Sequence, residues 1–523
     1  MSRAEQEIAS SSSRIIDIPT ALFLLATLIF LYLFLFVPPF IPLGDYGDGI
    51  IYLDPGKRMF EGETMYRDFF ELVPPGMAIV TFFLFKLFGP RLWIPNLEIL
   101  LVGLGLAWLG VIIAKKLVRP SLALLPSAIF IVGVYGRQLD ATHHWYSLLT
   151  ATAAIAVLME RRTAARIATA GFLCGLTACF TQPRGFAVVV GFGAYLWWES
   201  RQRHEDGHAL IKKEAWLGAG FLATMIAVNG YFIWKAGLTQ FLWCTVVFVI
   251  KCYPKAGWGN TFVAFKDSFP AFESLHNFIL RYLQSLFFYA LIPLTYVLFF
   301  ARYWRETGKR STEFWERPML LAVAGFCTLL SVAPAASPYR MAASVLPGII
   351  LLVWFLDSPH KLARAFTALF AVGVVLVALN AVARERPKPN WILTAPQGSF
   401  ADGDRERFEE YTWVKQHTQP LDYFFEPADT ADMYFYLDLR NPTPVPYVTI
   451  SGYTTPEQVT GVIRGLEQHK VRYILCRRRE LGTTPGWKLP PGDNLDPLRD
   501  YIRSHYRAVK VFTNTDEIWE KEN

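Results

Sequence analysis

The sequence predicts an α-helical polytopic membrane protein, with about eleven transmembrane helices, further interfacial helices and a small C-terminal α/β soluble domain. Three observations carry this. Apolar runs recur along the first three-quarters of the 523 residues, and charged clusters sit between them. Charged residues make up only 18% of the chain against 53% hydrophobic, and mean hydropathy is +0.27, which is too little charge for a soluble surface of this size. Beyond Arg384 the pattern changes to short strand-like and amphipathic segments.

The expected spans are 20–42, 93–114, 121–137, 144–159, 166–181, 185–198, 215–234, 280–301, 318–334, 341–357 and 364–382. The first is followed by Pro38, Pro39 and Phe40 with no small-residue cleavage site, so it reads as a retained helix and not a signal peptide. Met77 to Phe88 lies between Pro74-Pro75-Gly76 and Gly89-Pro90 and is too short to span, so an interfacial or re-entrant helix is expected there. Leu238 to Ile250 reads the same way. Aromatic content of 15% suits rings at the lipid–water boundaries.

Basic clusters set an orientation. Lys115-Lys116 with Arg119, Arg161-Arg162 with Arg166, Arg201 to Lys213, Arg302 to Arg317, and Lys361 with Arg364 all fall on one side. The positive-inside rule makes that side cytoplasmic. The expected layout is a cytoplasmic tail 1–19, a transmembrane domain 20–383 and an extracytoplasmic α/β domain 384–523, in a plasma (inner) membrane. Regions 43–92, 138–143, 182–184, 235–279 and 335–340 then face out. In the last domain, Asp422 to Phe425 and Arg472 to Cys476 read as strands, and Pro456 to His469 and Leu495 to His505 as helices. It has no Gly-rich phosphate loop and no nucleophile elbow.

The net charge of +7 comes from bases spread over loops, which argues against nucleic acid as a partner. The six cysteines show no CxxC spacing and read as small apolar residues.

The segment Gly44 to Gly76, GDYGDGIIYLDPGKRMFEGETMYRDFFELVPPG, is the most unusual part of the chain. Seven acids, Asp45, Asp48, Asp54, Glu61, Glu63, Asp68 and Glu71, are interleaved with Lys57, Arg58 and Arg67 between two apolar segments. Charge beside a bilayer is costly unless water, a partner or a ligand compensates it. Asp54-Pro55 reads as a helix start, with Asp as N-cap and Pro at the first helical position, and Gly62 as its stop. N-capping then accounts for Asp54. Asp48 and Tyr52 share a face only if the helix extends back that far.

Asp48, Tyr52, Met59-Phe60, Gly62, Pro74-Pro75 and Leu87-Phe88-Gly89 stand in an order, after one span, that resembles the GT-C superfamily of membrane glycosyltransferases. These enzymes use polyprenyl-phosphate sugars. Protein O-mannosyltransferases and the lipid A aminoarabinose transferase (family 39-type) are members. The resemblance covers roughly residues 20 to 360, with its specific matches between 44 and 90. It implies a polytopic fold, an essential Asp in the first outer loop, a polyprenyl-phosphate-linked sugar donor, and transfer to a glycan, lipid or protein acceptor at the outer face of the bilayer. Asp48 keeps the spacing to Tyr52; Asp45 is the alternative base.

The chemistry needs a carboxylate to take the acceptor proton and cations to neutralise the leaving phosphate. Lys57, Arg58, Arg67, Arg184 in TQPRG and Arg340 in SPYR are the candidate phosphate binders. Arg340 resembles a phosphate-contacting Arg of some superfamily members. Tyr52, Tyr66, Asp68, Glu71, Asp140, His143, His144 and Tyr339 are candidates for sugar or acceptor contacts, and Trp145 for stacking. No cofactor is required if guanidinium groups do this work; a divalent metal is compatible but not needed. The outer stretch with Trp243, Tyr253 and Trp258 suits a polyprenyl chain, lipid headgroups or an aromatic belt. A transporter or flippase for a lipid-linked glycan is the rival reading, and a polysaccharide polymerase or ligase another. The first would need broken spans or paired charges at mid-membrane, and the second usually carries its large outer loop late in the chain.

Overall fold

The computed structural model describes residues 17–44, 48–256, 261–268, 275–427, 432–477, 492–513 and 516–522. Asp45 and Trp258 lie outside them.

Helix α1, Ile18–Leu35, starts where the Asp17 carboxylate accepts from the Thr20 amide. It stops earlier than the expected span 20–42. Pro38-Pro39 cannot continue a helix, and Phe36–Val37 (β1) instead pairs antiparallel with Ile41–Pro42 (β2). Then come α2 (Asp48–Phe60), α3 (Gly76–Phe88) and α4 (Ile94–Lys115). Next are α5 (Leu125–Gly133), α6 (His143–Leu158), α7 (Ala164–Phe180), α8 (Gln182–Gln202) and α9 (Gly207–Ala236). The short α10 (Leu238–Leu242) and α11 (Phe248–Lys251) flank a π-helical turn over Trp243–Val247. They are followed by α12 (Thr261–Asp267), α13 (Leu275–Leu286), α14 (Ile292–Glu306), α15 (Thr312–Leu330), α16 (Pro338–Ala342), α17 (Leu346–Leu356) and α18 (Lys361–Asn380).

All eleven expected spans coincide with helices. Among the described residues, seven helical stretches are long and apolar enough to cross a membrane, and Gly76–Phe88, Ala164–Phe180 and Leu346–Leu356 are shorter apolar helices. The protein is a multi-pass membrane protein. Helices α7 and α9 lie backbone to backbone: a Cβ at Gly220 would stand 2.1 Å from the Ala168 carbonyl oxygen, so only glycine permits this contact. Helix α18 is the opposite case. None of its residues is buried, and it leans chiefly on α5 and α17 among the described residues.

The remainder folds as small sheets and helices. Strands β3 (Trp391–Ala395) and β4 (Gly398–Asp402) form a hairpin, followed by α19 (Arg405–His417). Strand β5 (Phe424–Phe425), α20 (Met433–Tyr436), α21 (Pro456–Gln468), β6 (Tyr473–Arg477), α22 (Asp496–His505), β7 (Tyr506–Val511) and β8 (Asp516–Lys521) complete it. The sheet order is β5-β6-β8-β7, with only β5–β6 parallel. The expected strands and both helices are present. The β3–β4 hairpin, α19 and the β7–β8 pair were not foreseen.

Helix α2 differs from its sequence reading. It begins at Asp48, a turn and a half before Asp54, and runs through Pro55. Asp54 is therefore a buried mid-helix residue and not an N-cap. Packing explains this: Ile50 and Leu53 join Phe85, Tyr434 and Phe435 in one core, so α2 is sandwiched between α3 and α20. Burial of that face outweighs the cost of about 3 kcal/mol that an interior proline imposes.

Candidate active site

Asp48 opens α2, and Tyr52 follows one turn later on the same face. The charge of Asp48 reaches the phenols of Tyr52, Tyr253, Tyr339 and Tyr447. Burial is the larger cause that pushes all four up, and Asp48 adds to it. These tyrosines come from four distant segments, so Asp48 stands where they converge.

Tyr52 meets the His143 ring edge-on at 4.9 Å. His143 and His144 are the first residues of α6, whose N-cap Thr142 accepts from the His144 amide. His143 Nδ1 bonds the Phe180 carbonyl at 2.9 Å and Thr181 Oγ1 at 2.8 Å. His144 packs on Tyr339 at 5.7 Å. Tyr339 donates to Asp140 Oδ2 at 2.6 Å, and Trp145 Nε1 donates to Oδ1 at 3.3 Å. Arg340 follows Tyr339 in α16, donates to Tyr253 and to the Ala335 carbonyl, and stacks over the Tyr253 ring.

Arg184, the third residue of α8, is wholly buried. One nitrogen, Nη1, donates to the His144 carbonyl at 2.8 Å and to Ser147 Oγ. Nε and Nη2 have no hydrogen-bond partner among the described residues, and neither does His144 Nδ1. Buried guanidinium N–H groups are rarely left so. The N-termini of α6 and α8 meet here. Their macrodipoles make the place positive and favour an anion.

Three other candidates point elsewhere. Lys57 Nζ donates to Glu61 at 2.6 Å and to the Leu439 carbonyl at 2.9 Å, and forms an ion pair with Asp438 at 3.4 Å. Arg58 grips Glu63 through Nε at 3.0 Å and Nη2 at 2.6 Å, and the Thr443 carbonyl through Nη1 at 3.0 Å. Arg67 pairs in fork fashion with Asp68 at 2.8 and 2.7 Å on the surface. The structure thus joins Arg184 and Arg340 to the cluster and sets Lys57, Arg58, Arg67 and Asp68 apart. Lys57 and Arg58 suggested phosphate because their partners 438–443 lie too far along the chain to be foreseen.

Glu71 and Tyr66 are interior. Tyr66 donates to the Val73 carbonyl at 2.8 Å. Glu71 Oε1 accepts from the amides of Leu72 at 2.8 Å and Val73 at 3.0 Å, while Oε2 has no partner among the described residues. Burial pushes Glu71 up to about 7, and Asp54 up to about 6. Tyr447, Ser147 and Thr181 were missed by sequence reasoning. Tyr253 was read as part of an outer aromatic stretch suited to a polyprenyl chain, lipid headgroups or an aromatic belt, and not as a partner of Arg340.

No family model and no curated protein matches the chain. Among solved structures it is similar to the crystal structure of ArnT from Cupriavidus metallidurans bound to undecaprenyl phosphate. The TM-score is 0.53 at 12% identity, covering 95% of this chain and 97% of that one. It is also similar to a cryo-EM structure of the arabinofuranosyltransferase AftD from Mycobacteria, with TM-score 0.43, 13% identity, and coverage of 96% of this chain and 41% of that one. The first likeness is one of fold, over nearly the whole of both chains.

Proposed function

We propose that the chain is a membrane glycosyltransferase that moves a sugar from a polyprenyl-phosphate carrier to an acceptor hydroxyl at the outer face of a plasma membrane. The observation that carries this is Arg184. A guanidinium with two unpartnered N–H groups, wholly buried where two helix N-termini meet, fits an anion such as a phosphodiester. The fold shared with a protein solved with undecaprenyl phosphate supports a lipid-phosphate donor. In this reading residues 20–383 form the transmembrane domain and 384–523 lie outside.

Asp48 is the base. Its carboxylate takes the proton of the acceptor hydroxyl as that oxygen bonds to the anomeric carbon. The bond from that carbon to the phosphate oxygen breaks, and its electron pair leaves with the polyprenyl phosphate. Arg184 and Arg340 balance the growing charge. Attack opposite the leaving phosphate inverts the anomeric centre. Asp140, His143, His144 and Tyr339 surround the sugar. No step requires a metal.

The test is turnover of purified donor and acceptor. Asp48→Asn keeps the shape but cannot take a proton, so kcat falls by about 10²–10⁴ while donor binding persists. Asp54→Asn stays active, because Asn matches the carboxyl in shape and the charges that reach Asp54 are those of Arg58, Lys57, Glu63 and Glu61, outside the Asp48 cluster. Loss of activity in Asp45→Asn, with Asp48→Asn active, moves the base to Asp45. Full turnover in all three variants removes the base from this loop, and absence of turnover by the wild-type protein favours a transporter.

A further inference from the structure

A cleft of about 620 Å³ opens between three segments remote in sequence: 66–70, 239–248 and 444–458. Its volume falls within the range of ligand sites. Neither Asp48, Arg184 nor Arg340 lines it, so it is separate from the cluster described above. An aromatic partition divides the two. Phe70, on the cleft side, meets Phe248 at 4.6 Å; Phe248 meets Tyr453 at 5.0 Å; and the Tyr453 and Tyr447 hydroxyls lie 3.0 Å apart. Tyr447 in turn feels the Asp48 charge.

The lining has a specific chemistry. Trp243 is 39% exposed, whereas Phe69 and Phe248 beside it are buried. An indole face is therefore left open on an otherwise packed wall. Around it stand Thr239, Gln240 and Gln458, which bring hydroxyl and amide groups. The charges are one base, Arg67, and two acids, Asp68 and Glu457. Arg67 is already neutralised by Asp68 through two hydrogen bonds. A phosphate or other anion would meet a net negative wall without a free cation of its own. A polyprenyl chain would cover the aromatic wall but leave the Thr239, Gln240 and Gln458 groups and the two carboxylates desolvated without partners.

An uncharged saccharide suits both halves. Its C–H face packs on an aromatic plane, and its hydroxyls bond amides and carboxylates. The cleft is also built in advance. Thr455 and Gln458 form a reciprocal capping box at the start of α21, and the Phe70 amide donates to the Pro444 carbonyl at 2.7 Å.

We infer that this cleft holds an uncharged oligosaccharide portion of the acceptor. The inference rests on the transfer reading above and names its acceptor class: a growing glycan, not a serine or threonine of a protein. Trp243 stacks on a sugar ring, and Gln240 and Gln458 bond its hydroxyls.

The experiment uses the full chain in nanodiscs on an array of immobilised neutral hexose and pentose oligosaccharides, acidic oligosaccharides and unmodified peptides. Phospholipid vesicles are a separate arm. Neutral oligosaccharides should bind. Trp243→Ala should weaken that binding about tenfold, and Trp243→Phe should restore part of it. Gln240→Ala is the second variant, should Trp243→Ala fail to fold. Binding confined to acidic glycans, peptides or vesicles overturns the inference, as does no binding at all or neutral-glycan binding that both folded variants leave unchanged. Asp48→Asn keeps the array signal. A failure of the transfer reading therefore shows in turnover by that variant, and a failure of the cleft shows on the array.

Discussion

Glu71 shows how far one buried side chain can be read. Burial raises its carboxyl from an ordinary value of 4.5 to about 7, and two amide hydrogen bonds offset part of that. The folded state therefore prefers the neutral form more than the unfolded chain does. Stability from this group is fully present below about pH 4.5 and is lost as pH rises through about 7. Glu71→Gln keeps the acceptor for Leu72 and Val73 and removes the titration. Its apparent melting temperature should match that of the wild-type protein near pH 4.5 and exceed it increasingly up to pH 8. A constant gap across that range would show that Glu71 does not titrate there. Residue types in the loop were legible from the sequence because charge beside a bilayer needs compensation. Which of them faces a ligand was not. Ser147 and Tyr253, which hold Arg184 and Arg340, lie 37 and 87 residues away, and the carbonyls that claim Lys57 and Arg58 lie 382 and 385 residues away, so no local pattern told the two pairs apart.

At the scale of the element, α2 is held as much from the C-terminal segments as from its own loop. Lys57 binds Asp438 and the Leu439 carbonyl; Arg58 binds the Thr443 carbonyl; Glu61 accepts from Arg440 at 3.3 Å. Breaking a buried ion pair by removing one partner costs about 3–5 kcal/mol, because the other charge stays buried. Lys57→Ala should therefore lower the apparent melting temperature and the kcat, while donor binding by the folded protein is retained. Unchanged stability with lost donor binding would return Lys57 to the phosphate site. The Asp54-Pro55 dipeptide misled for a related reason. It is a sound local signal for a helix start, yet the apolar face of Ile50 and Leu53 gains more by packing against α3 and α20 than the backbone loses at Pro55.

Across the whole molecule, the polytopic fold was readable because hydrocarbon demands long apolar helices, and hydropathy records that demand directly. The short strands were less readable: β5 has two residues, and β7 is exposed along nearly its whole length, so neither carries a clean alternation. The basic clusters also make a prediction about sidedness. Ser399, on β4, should face away from the cytoplasm. With the native cysteines replaced, Ser399→Cys should react with an impermeant maleimide in intact cells. Protection there, with labelling after permeabilisation, would put residues 384–523 on the cytoplasmic side.

The grip of residues 438–443 on α2 bears on biosynthesis. At about 5–20 residues per second, the ribosome adds these partners roughly 20–80 s after Lys57 and Arg58. Until then Lys57 and Arg58 have only Glu61 and Glu63 of their own loop, and the segment that carries Asp48 lacks the clamp from residues 438–443. On the proposed reading, the site is thus completed only when residues 438–443 arrive. A ribosome that stalls short of residue 438 leaves α2 without these partners.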